Sequence, residues 1–420
     1  MLYSNYQFIR NAISPWTQSW LGVSKALGEG VWQYHPASQT VSGLIEAGAR
    51  VWKDYGKPAF GINDIENTEG TKNLPVVEQI VAQTPFMELR RFQVIDEKKH
   101  DKPVVLIVAP MSGHHATLLR DTVREMVRGH TVYITDWADA KNVDLEYGEF
   151  SLDTYVQHLD WAMEAIVNEG VLGCKVKDLH VFAVCQPVVP VLACMSLRAQ
   201  NGKDTTASMI LMGGPIDSRL SPTEPNDLAT GKDIEWFENN LIHRVPHGNP
   251  GEGRLVYPGF LQHMGFMAMN PGKHTQSHLE FLRDVWAGDE VAAQRHRDFY
   301  DEYNAVADLH APYYIQTVRS VFQDFDLPRG QMIINGQRVD PSAIENTALM
   351  TIEGARDDIS GLGQTAAALT LCSGIPPENK RHMTADAGHY GLFSGSRWRN
   401  HVCPAIGSFI AEKHIDDMKH

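Results

Sequence analysis

One cysteine of this 420-residue chain lies where a covalent nucleophile is expected. Cys185 stands in the run AVCQP, between an apolar segment (179–184) that predicts a buried strand and a segment (187–202) compatible with a helix. Such an abrupt strand-to-helix turn exposes its nucleophile at a sheet edge and needs small residues two positions away, as Ala183 is, while Pro187 suits a first helical turn. A helix N-terminus and a neighbouring histidine favour the reactive thiolate. The alternative is an inert buried cysteine, the commonest environment of this residue.

An acid and a base follow the cysteine along the chain. Asp357, in the run EGARDDI, comes directly after a predicted buried strand, and its neighbour Asp358 is an alternative to it. His389, in the glycine-flanked run DAGHYG, follows the last predicted strand. A solvated turn is the ordinary explanation for each of the two aspartates. The order nucleophile, acid, histidine is that of the α/β-hydrolases, so we predict a triad of Cys185, Asp357 and His389.

The same elements predict an oxyanion hole. One donor is the backbone N–H of Gln186, the residue after the nucleophile, and the other is the N–H of Met111 or Ser112 in the loop that follows an early strand. His114 and His115 lie in that loop, but no spaced carboxylates or thiols accompany them, so no metal site is predicted. Gly-rich phosphate loops are also missing, and we predict no cofactor.

The elements that must position these residues alternate between strand and helix. Apolar runs at 103–110, 131–137, 179–184 and 208–214 alternate with helical segments, which is typical of a mostly parallel sheet with helices on both faces. About 135 residues separate Met212 from the next buried strand, where a crossover needs about 10–12. We therefore predict an α/β-hydrolase fold with a helical cap, without strands, inserted late in the sheet. The predicted parts are an N-terminal segment packing on the core (1–100, with a candidate antiparallel edge strand at 91–97), the first part of the core (101–216), the cap (217–345) and the second part of the core (346–420).

Composition excludes several classes of function. The chain has 37 basic and 51 acidic residues and a net charge of −14, which argues against binding to nucleic acid. Five cysteines without CxxC spacing predict neither a disulfide framework nor a zinc site and suit a reducing compartment. No apolar run reaches the length of a transmembrane segment, and polar residues interrupt the start before a signal peptide develops, so a cytoplasmic protein is expected. The apolar residues among the first 20 suit docking on an apolar surface, or, as is commoner, packing on the protein's own body.

Several runs of the sequence resemble one known family. AVCQPVVP around Cys185, MGGPID (212–217), the stretch 326–345, EGARDDI and GHYG together resemble the intracellular poly(3-hydroxybutyrate) depolymerases, a cysteine branch of the α/β-hydrolases. The resemblance implies a cytoplasmic enzyme at polymer granules, with nucleophile, acid and base at Cys185, Asp357 and His389. Polyhydroxyalkanoate synthases are related to this family, but they are usually longer and carry glycine where this chain has Ala183 and Pro187.

A polyester carries no charge, so its recognition must rest on apolar contact. The predicted cap residues that supply this contact are Trp236, Phe237, Tyr257, Phe260 and Trp286. Phe260, Met264 and Met267 fall at helical spacing, which equally indicates packing within the cap.

Cleavage through Cys185 would pass through an acyl thioester and release 3-hydroxybutyrate units or oligomers. Water or a thiol such as coenzyme A could accept the acyl group, and the sequence leaves both open. Three alternatives to a depolymerase also remain: a synthase-like acyltransferase, a small-ester or thioester hydrolase, and a non-catalytic protein that binds polymer granules.

Overall fold

The apolar runs of the sequence form the centre of one nine-stranded sheet. The computed structural model describes residues 2–28, 36–66, 72–95, 102–170, 173–269 and 271–417. Its strands are β1 (Asp64–Glu66), β2 (Asn73–Thr84), β3 (Met87–Val94), β4 (Val104–Val108), β5 (Thr131–Trp137), β6 (Leu179–Val184), β7 (Ser208–Met212), β8 (His243–Arg244), β9 (Leu255–Tyr257), β10 (Leu309–His310), β11 (Ile333–Ile334), β12 (Gln337–Arg338), β13 (Ala348–Gly354) and β14 (Lys380–Ala385).

The helices flank this sheet and build the cap. They are α1 (Leu2–Gly28), α2 (Pro36–Trp52), α3 (Arg120–Met126), α4 (Leu152–Glu169), α5 (Val188–Gln200), α6 (Glu224–Thr230), α7 (Ile234–Leu241), α8 (Gly259–Met269), α9 (Pro271–Ala287), α10 (Glu290–Tyr303), α11 (Ala311–Thr317), α12 (Ala367–Leu371), α13 (Gly395–Arg397) and α14 (Cys403–Asp417). Of the helices described, none is both long and apolar enough to cross a bilayer.

The strand order identifies the fold. The large sheet runs β1-β2-β3-β5-β4-β6-β7-β13-β14. β1, β2 and β3 pair antiparallel, as do β3 and β5, and every other pair in the sheet is parallel. Apart from the short β1, this is the α/β-hydrolase arrangement, in which the third and fourth strands exchange places and the nucleophile follows the fifth. The predicted fold class is confirmed.

Alternation along the central strands divides the core into two layers. In β4, Leu106 joins a cluster that contains residues of α4 and α5, whereas Val105 and Ile107 join a cluster that contains residues of α3 and α14. All five residues of β4 are buried, because helices cover both faces of the sheet. Ser151 caps α4 by accepting a hydrogen bond from the Thr154 N–H.

The N-terminal hundred residues differ from their prediction. The segment 91–97 was expected to be an edge strand, yet β3 lies inside the sheet with β2 beyond it. The sheet therefore begins before residue 101. β2 escaped prediction because its mostly exposed side chains mix polar with apolar residues and make no apolar run. Residues 96 and 97 lie outside the described residues.

The first 20 residues form part of α1, which makes specific contacts with the body. The Tyr3 hydroxyl donates to Asp308 Oδ2 at 2.6 Å, and the Tyr6 ring stacks on Phe260 with 4.0 Å between the ring centroids. Other apolar side chains of this helix face solvent, since Phe8 is 75% and Trp16 63% exposed. The predicted packing on the protein's own body therefore accounts for Tyr3 and Tyr6. It does not account for the exposed Phe8 and Trp16.

The cap is helical but not free of strands, which corrects the prediction. α6 to α11 make up most of it, and β8, β9 and β10 pair into a small antiparallel sheet, with β11 and β12 as a hairpin. Strands of two or three residues are too short to show a period of two in the sequence. β10 leads directly into α11, and Tyr313 of α11 belongs to the main core cluster. The cap sheet therefore stands beside the core.

Candidate active site

Cys185 occupies a strained turn at the end of β6. Its φ is +69°, a left-handed conformation that non-glycine residues rarely adopt. Its N–H donates to the Met212 carbonyl at 2.8 Å, and its own carbonyl accepts from the Val188 N–H at 3.2 Å, where α5 begins. The backbone thus turns from strand into helix over the three residues 185–187. This is the geometry of a nucleophile elbow.

Two glycines beside the elbow are site residues that the sequence reasoning missed. Gly213 and Gly214 follow β7, within the run MGGPID that contributes to the family resemblance. A Cβ on Gly214 would overlap the Cys185 carbonyl oxygen and lie 2.8 Å from Val188 Cγ1. Gly213 has a φ of +59°, and a Cβ there would lie 3.5 Å from His389 Cε1. The sequence does carry a signal for these residues. It is a pair of glycines directly after β7, the strand that lies beside the strand of the nucleophile.

We expect Gly214→Ala to destabilise the fold by about 1–3 kcal/mol, because the added methyl group overlaps backbone that cannot move without disturbing the elbow. Urea unfolding measures this change. Gly407→Ala in α14 is the matched control, since nothing lies within 4 Å of its Cβ position, and it should stabilise the protein by about 0.5–1 kcal/mol. Equal unfolding midpoints for wild type and Gly214→Ala would contradict the close packing at the elbow.

The predicted acid and base meet in the structure. His389 Nδ1–H donates to Asp357 Oδ2 at 2.8 Å, and both side chains are buried, with 4% and 0% of their surface exposed. Asp357 Oδ1 accepts from the N–H groups of Ile359 and Ser360, each at 2.9 Å. These two bonds fix the carboxylate toward the ring. Asp358, the alternative acid, instead lines the cavity that opens beside His389.

His389 links this carboxylate to the sulfur. Burial alone would lower the pKa of His389, but the negative charges of Cys185 and Asp357 and the hydrogen bonds to both raise the pKa well above its usual value. A protonated His389 ring placed between Cys185 and Asp357 can donate a hydrogen bond to each. A histidine beside a cysteine is an arrangement that favours the reactive thiolate.

The loop predicted to supply the second oxyanion donor is held through its carbonyl groups. The Tyr313 hydroxyl of the cap donates to the Met111 carbonyl at 3.2 Å, and the Ala307 N–H donates to the Gly113 carbonyl at 2.7 Å. Met111 is buried, Ser112 is partly exposed, and Gly113 has a φ of +104°. Gln186 lies at the start of the turn into α5, with its side-chain Oε1 buried and unpaired within the described part of the chain. The choice between Met111 and Ser112 stays a prediction.

The two loop histidines are packed in the interior. His114 Nε2 bonds to the Tyr303 carbonyl at 3.1 Å, and burial lowers the pKa of His114 to about 4. Burial also lowers the pKa of His115. In the described ranges no three His, Cys, Asp or Glu side chains are grouped so as to hold a metal ion.

A cavity of about 570 Å³ opens beside His389, and we name it the catalytic cavity. Loop residues 388–391 form one wall, and Phe266 of α8 with Phe299, Tyr300 and Tyr303 of α10 form the opposite one. Arg356, Asp358 and Glu224 add charged groups at its margin. The wall that the cap contributes therefore combines these aromatic rings with polar side chains, those of Thr223, Glu224, His274 and Ser277.

The predicted polymer-contact residues lie elsewhere in the cap. Phe237 is buried against α11 with Trp236 beside it, and Tyr257 lies against Tyr314 with 4.4 Å between the ring centroids. Phe260 contacts Tyr6, and Trp286 is 64% exposed. None of these five lines the catalytic cavity. The aromatic residues of α10 were missed because amphipathic spacing alone does not show which face of a cap helix meets the site.

Comparison with known proteins finds one family that is similar to part of this chain. Residues 213–414 match the family described as PHB de-polymerase C-terminus. The matched segment contains Asp357 and His389, and Cys185 precedes it. Over 338 residues the chain is 20% identical to a poly(3-hydroxyalkanoate) polymerase subunit, PhaC, of Haloarcula marismortui, which covers 78% of this chain and 64% of that protein. The chain thus spans less than two thirds of the length of this curated relative.

Solved structures are similar at a lower level. An arylesterase is 12% identical with a TM-score of 0.43, covering 95% of this chain and 98% of its own. A hydrolase from Pseudomonas aeruginosa is 11% identical with a TM-score of 0.43, covering 80% of this chain and 97% of its own. It is the strand order of the sheet, and not these likenesses, that identifies the fold.

Proposed function

We propose that this protein depolymerises poly(3-hydroxybutyrate) by cleaving its ester bonds through Cys185, His389 and Asp357. The observation that carries the proposal is the contact of a buried Asp357–His389 pair with a cysteine on a strained strand-to-helix turn. The match of residues 213–414 to the PHB de-polymerase family supports the choice of polymer. The aromatic residues on the cap side of the catalytic cavity offer apolar surface to an uncharged polyester.

In the first half-reaction the Cys185 thiolate attacks the ester carbonyl carbon, and a carbon–sulfur bond forms as the carbonyl oxygen takes the negative charge. The Gln186 N–H and the loop of Met111 and Ser112 stabilise that oxyanion. The carbon–oxygen bond of the ester then breaks, and the His389 imidazolium gives its proton to the leaving 3-hydroxyl oxygen. An acyl thioester remains on Cys185.

In the second half-reaction water attacks the thioester while His389 takes one of its protons. The carbon–sulfur bond breaks, and a 3-hydroxybutyrate unit or oligomer leaves with a new carboxyl group. Asp357 keeps the ring oriented and stabilises its positive charge in both halves. A thiol such as coenzyme A could replace water, since transfer from one thioester to another changes the free energy little.

A synthase-like acyltransferase is the second candidate function. The similarity to a polymerase subunit favours it, because an enzyme that loads a hydroxyacyl group onto cysteine and extends a chain uses the same thioester. The hydroxyl end of a growing chain would then accept the acyl group in place of water. Location at polymer granules in the cytoplasm remains a prediction under either function.

The deciding experiment incubates the purified full chain with amorphous poly(3-hydroxybutyrate), with and without coenzyme A, and in parallel with 3-hydroxybutyryl-coenzyme A alone. Mass spectrometry identifies the products and any acyl adduct on the Cys185 peptide. Release of 3-hydroxybutyrate or its oligomers supports the depolymerase, and polymer made from the thioester supports the acyltransferase. Association with polymer but no product and no adduct in any arm would contradict both and leave a granule-binding protein. Turnover of short esters alone would indicate a small-ester hydrolase.

A further inference from the structure

A second cavity of about 510 Å³ lies beside α10, and we name it the distal cavity. Tyr300 of α10 lines both this cavity and the catalytic cavity. The distal cavity is enclosed by α1, α2, α8, α9 and α10. Its volume falls within the range of about 300–1,000 Å³ that is usual for pockets holding small ligands, and it has room for a short oligomer.

The walls of the distal cavity are largely apolar. They are formed by Val51, Trp52, Phe260, Met264, Met267 and Phe281. Phe260 and Met267, which the sequence placed on one helical face, therefore line a space instead of only packing within the cap. A ligand here must offer an aliphatic surface.

The charged residues of the distal cavity are neutralised within the protein. Arg50 and Lys53 both pair with Asp301, at 3.1 and 3.0 Å, and Lys141 pairs with Asp139 at 2.9 Å. The remaining lining charges are Arg10, which pairs with Asp54, and Asp308, which accepts the Tyr3 hydroxyl. An ionic ligand would have to displace one of these partners, so the cavity favours an uncharged one.

Three histidines are among the uncharged polar residues that line the distal cavity. Burial lowers the pKa of His263, His278 and His296, for His296 to about 4, so each imidazole is neutral near pH 7 and carries one N–H donor. Within the described residues, His263 Nε2 and both ring nitrogens of His296 are buried without a hydrogen-bond partner. Buried polar atoms of this kind require a partner that the protein does not supply.

We propose that the distal cavity binds the part of a 3-hydroxyalkanoate oligoester that extends beyond the bond being cleaved. This inference rests on the proposed function. Each ester unit offers a carbonyl acceptor, no donor along the chain and an aliphatic backbone, which matches apolar walls that carry imidazole donors and paired charges. The polyester would pass Tyr300 on its way from the catalytic cavity. Rotation of the His263 or His296 ring would turn an N–H that protein atoms now cover toward an ester carbonyl. The cavity then makes the enzyme select longer chains.

The test compares a linear 3-hydroxybutyrate dimer with a hexamer as substrates of the full chain. Met267→Trp fills the cavity, and His296→Phe keeps a ring on Phe281 but removes both nitrogens. In each variant we expect the ratio of kcat/KM for hexamer to kcat/KM for dimer to fall at least about tenfold. Leu279→Trp is the matched control, because Leu279 is exposed on α9 and lines neither cavity, and its ratio should stay within about twofold of wild type.

Binding without turnover separates this inference from the proposed function. Calorimetry measures the hexamer dissociation constant for Cys185→Ala alone and combined with Met267→Trp or His296→Phe, and circular dichroism establishes that each chain is folded. Weaker hexamer binding by at least about tenfold in the combined variants supports the distal site even if the wild type cleaves neither substrate. An unchanged dissociation constant in the folded His296→Phe combination, or no hexamer binding to Cys185→Ala, would overturn it whatever the catalytic result.

Discussion

We expect Cys185→Ala to lower kcat for ester cleavage by about 10,000-fold or more relative to wild type. Removal of a triad nucleophile has an effect of this size. The substitution removes the atom that forms the acyl bond and leaves the oxyanion donors and the cavity in place. Alanine also accepts the positive φ of +69° no worse than cysteine, so the fold should persist. Initial rates on a short 3-hydroxybutyrate oligomer give the ratio, and mass spectrometry should find no acyl adduct on the variant.

Cys174→Ala serves as the control for cysteine removal. Cys174 is a free cysteine away from the elbow, and burial raises the pKa of its thiol, which makes it a poor nucleophile. Its rate should stay within about twofold of wild type. If Cys185→Ala kept a tenth or more of the wild-type rate, another group would have to be the nucleophile and the proposed mechanism would be wrong.

Asp357→Asn should cost about 1,000- to 10,000-fold in kcat, since an amide at this place cannot hold the imidazole in the working tautomer. The carboxylate is fully buried and aimed at the ring by two backbone N–H groups, so no neighbouring side chain can replace it. The change also removes one of the charges that raise the pKa of His389, and the pKa of His389 should be lower in the variant than in wild type. NMR titration of the imidazole measures that difference.

Asp358→Asn is the adjacent control. Its carboxylate lies at the margin of the catalytic cavity, whereas the ring of His389 is bonded to the other aspartate. We expect a loss of less than about tenfold. If Asp358→Asn lost more activity than Asp357→Asn, Asp358 would be the acid and the assignment to Asp357 would be wrong.

The sequence predicted those parts of the fold that are buried on both faces. β4, β6, β7 and β13 are buried from end to end and mostly apolar because helices cover the sheet on both sides, and this pattern is visible without a structure. β2 is mostly exposed and carries no such signal. The two-residue strands of the cap pair over distances of up to about 50 residues, a contact that local periodicity does not encode.

The candidate triad was predictable for a different reason. Each of its residues follows a recognisable strand, and parallel strands bring their carboxyl ends to one edge, so chain order stands in for geometry. No comparable rule predicts which residues line the catalytic cavity. Phe266 and Tyr303 lie on different helices, and their meeting with residue 390 depends on how the whole cap docks. Aromatic residues of the cap therefore looked alike in the sequence, and Trp236 was as good a candidate as Tyr303.

The hydrogen bond from Tyr313 to the Met111 carbonyl joins the cap to the core at the loop nearest the sulfur. Tyr313 is buried and its ring stacks on Tyr155 of α4, with 5.5 Å between the centroids, so this link cannot swing independently of its surroundings. Any tilt of α11 away from the sheet must pull on the loop or break the bond. The position of the candidate oxyanion donor in this loop therefore depends on how the cap is placed on the core.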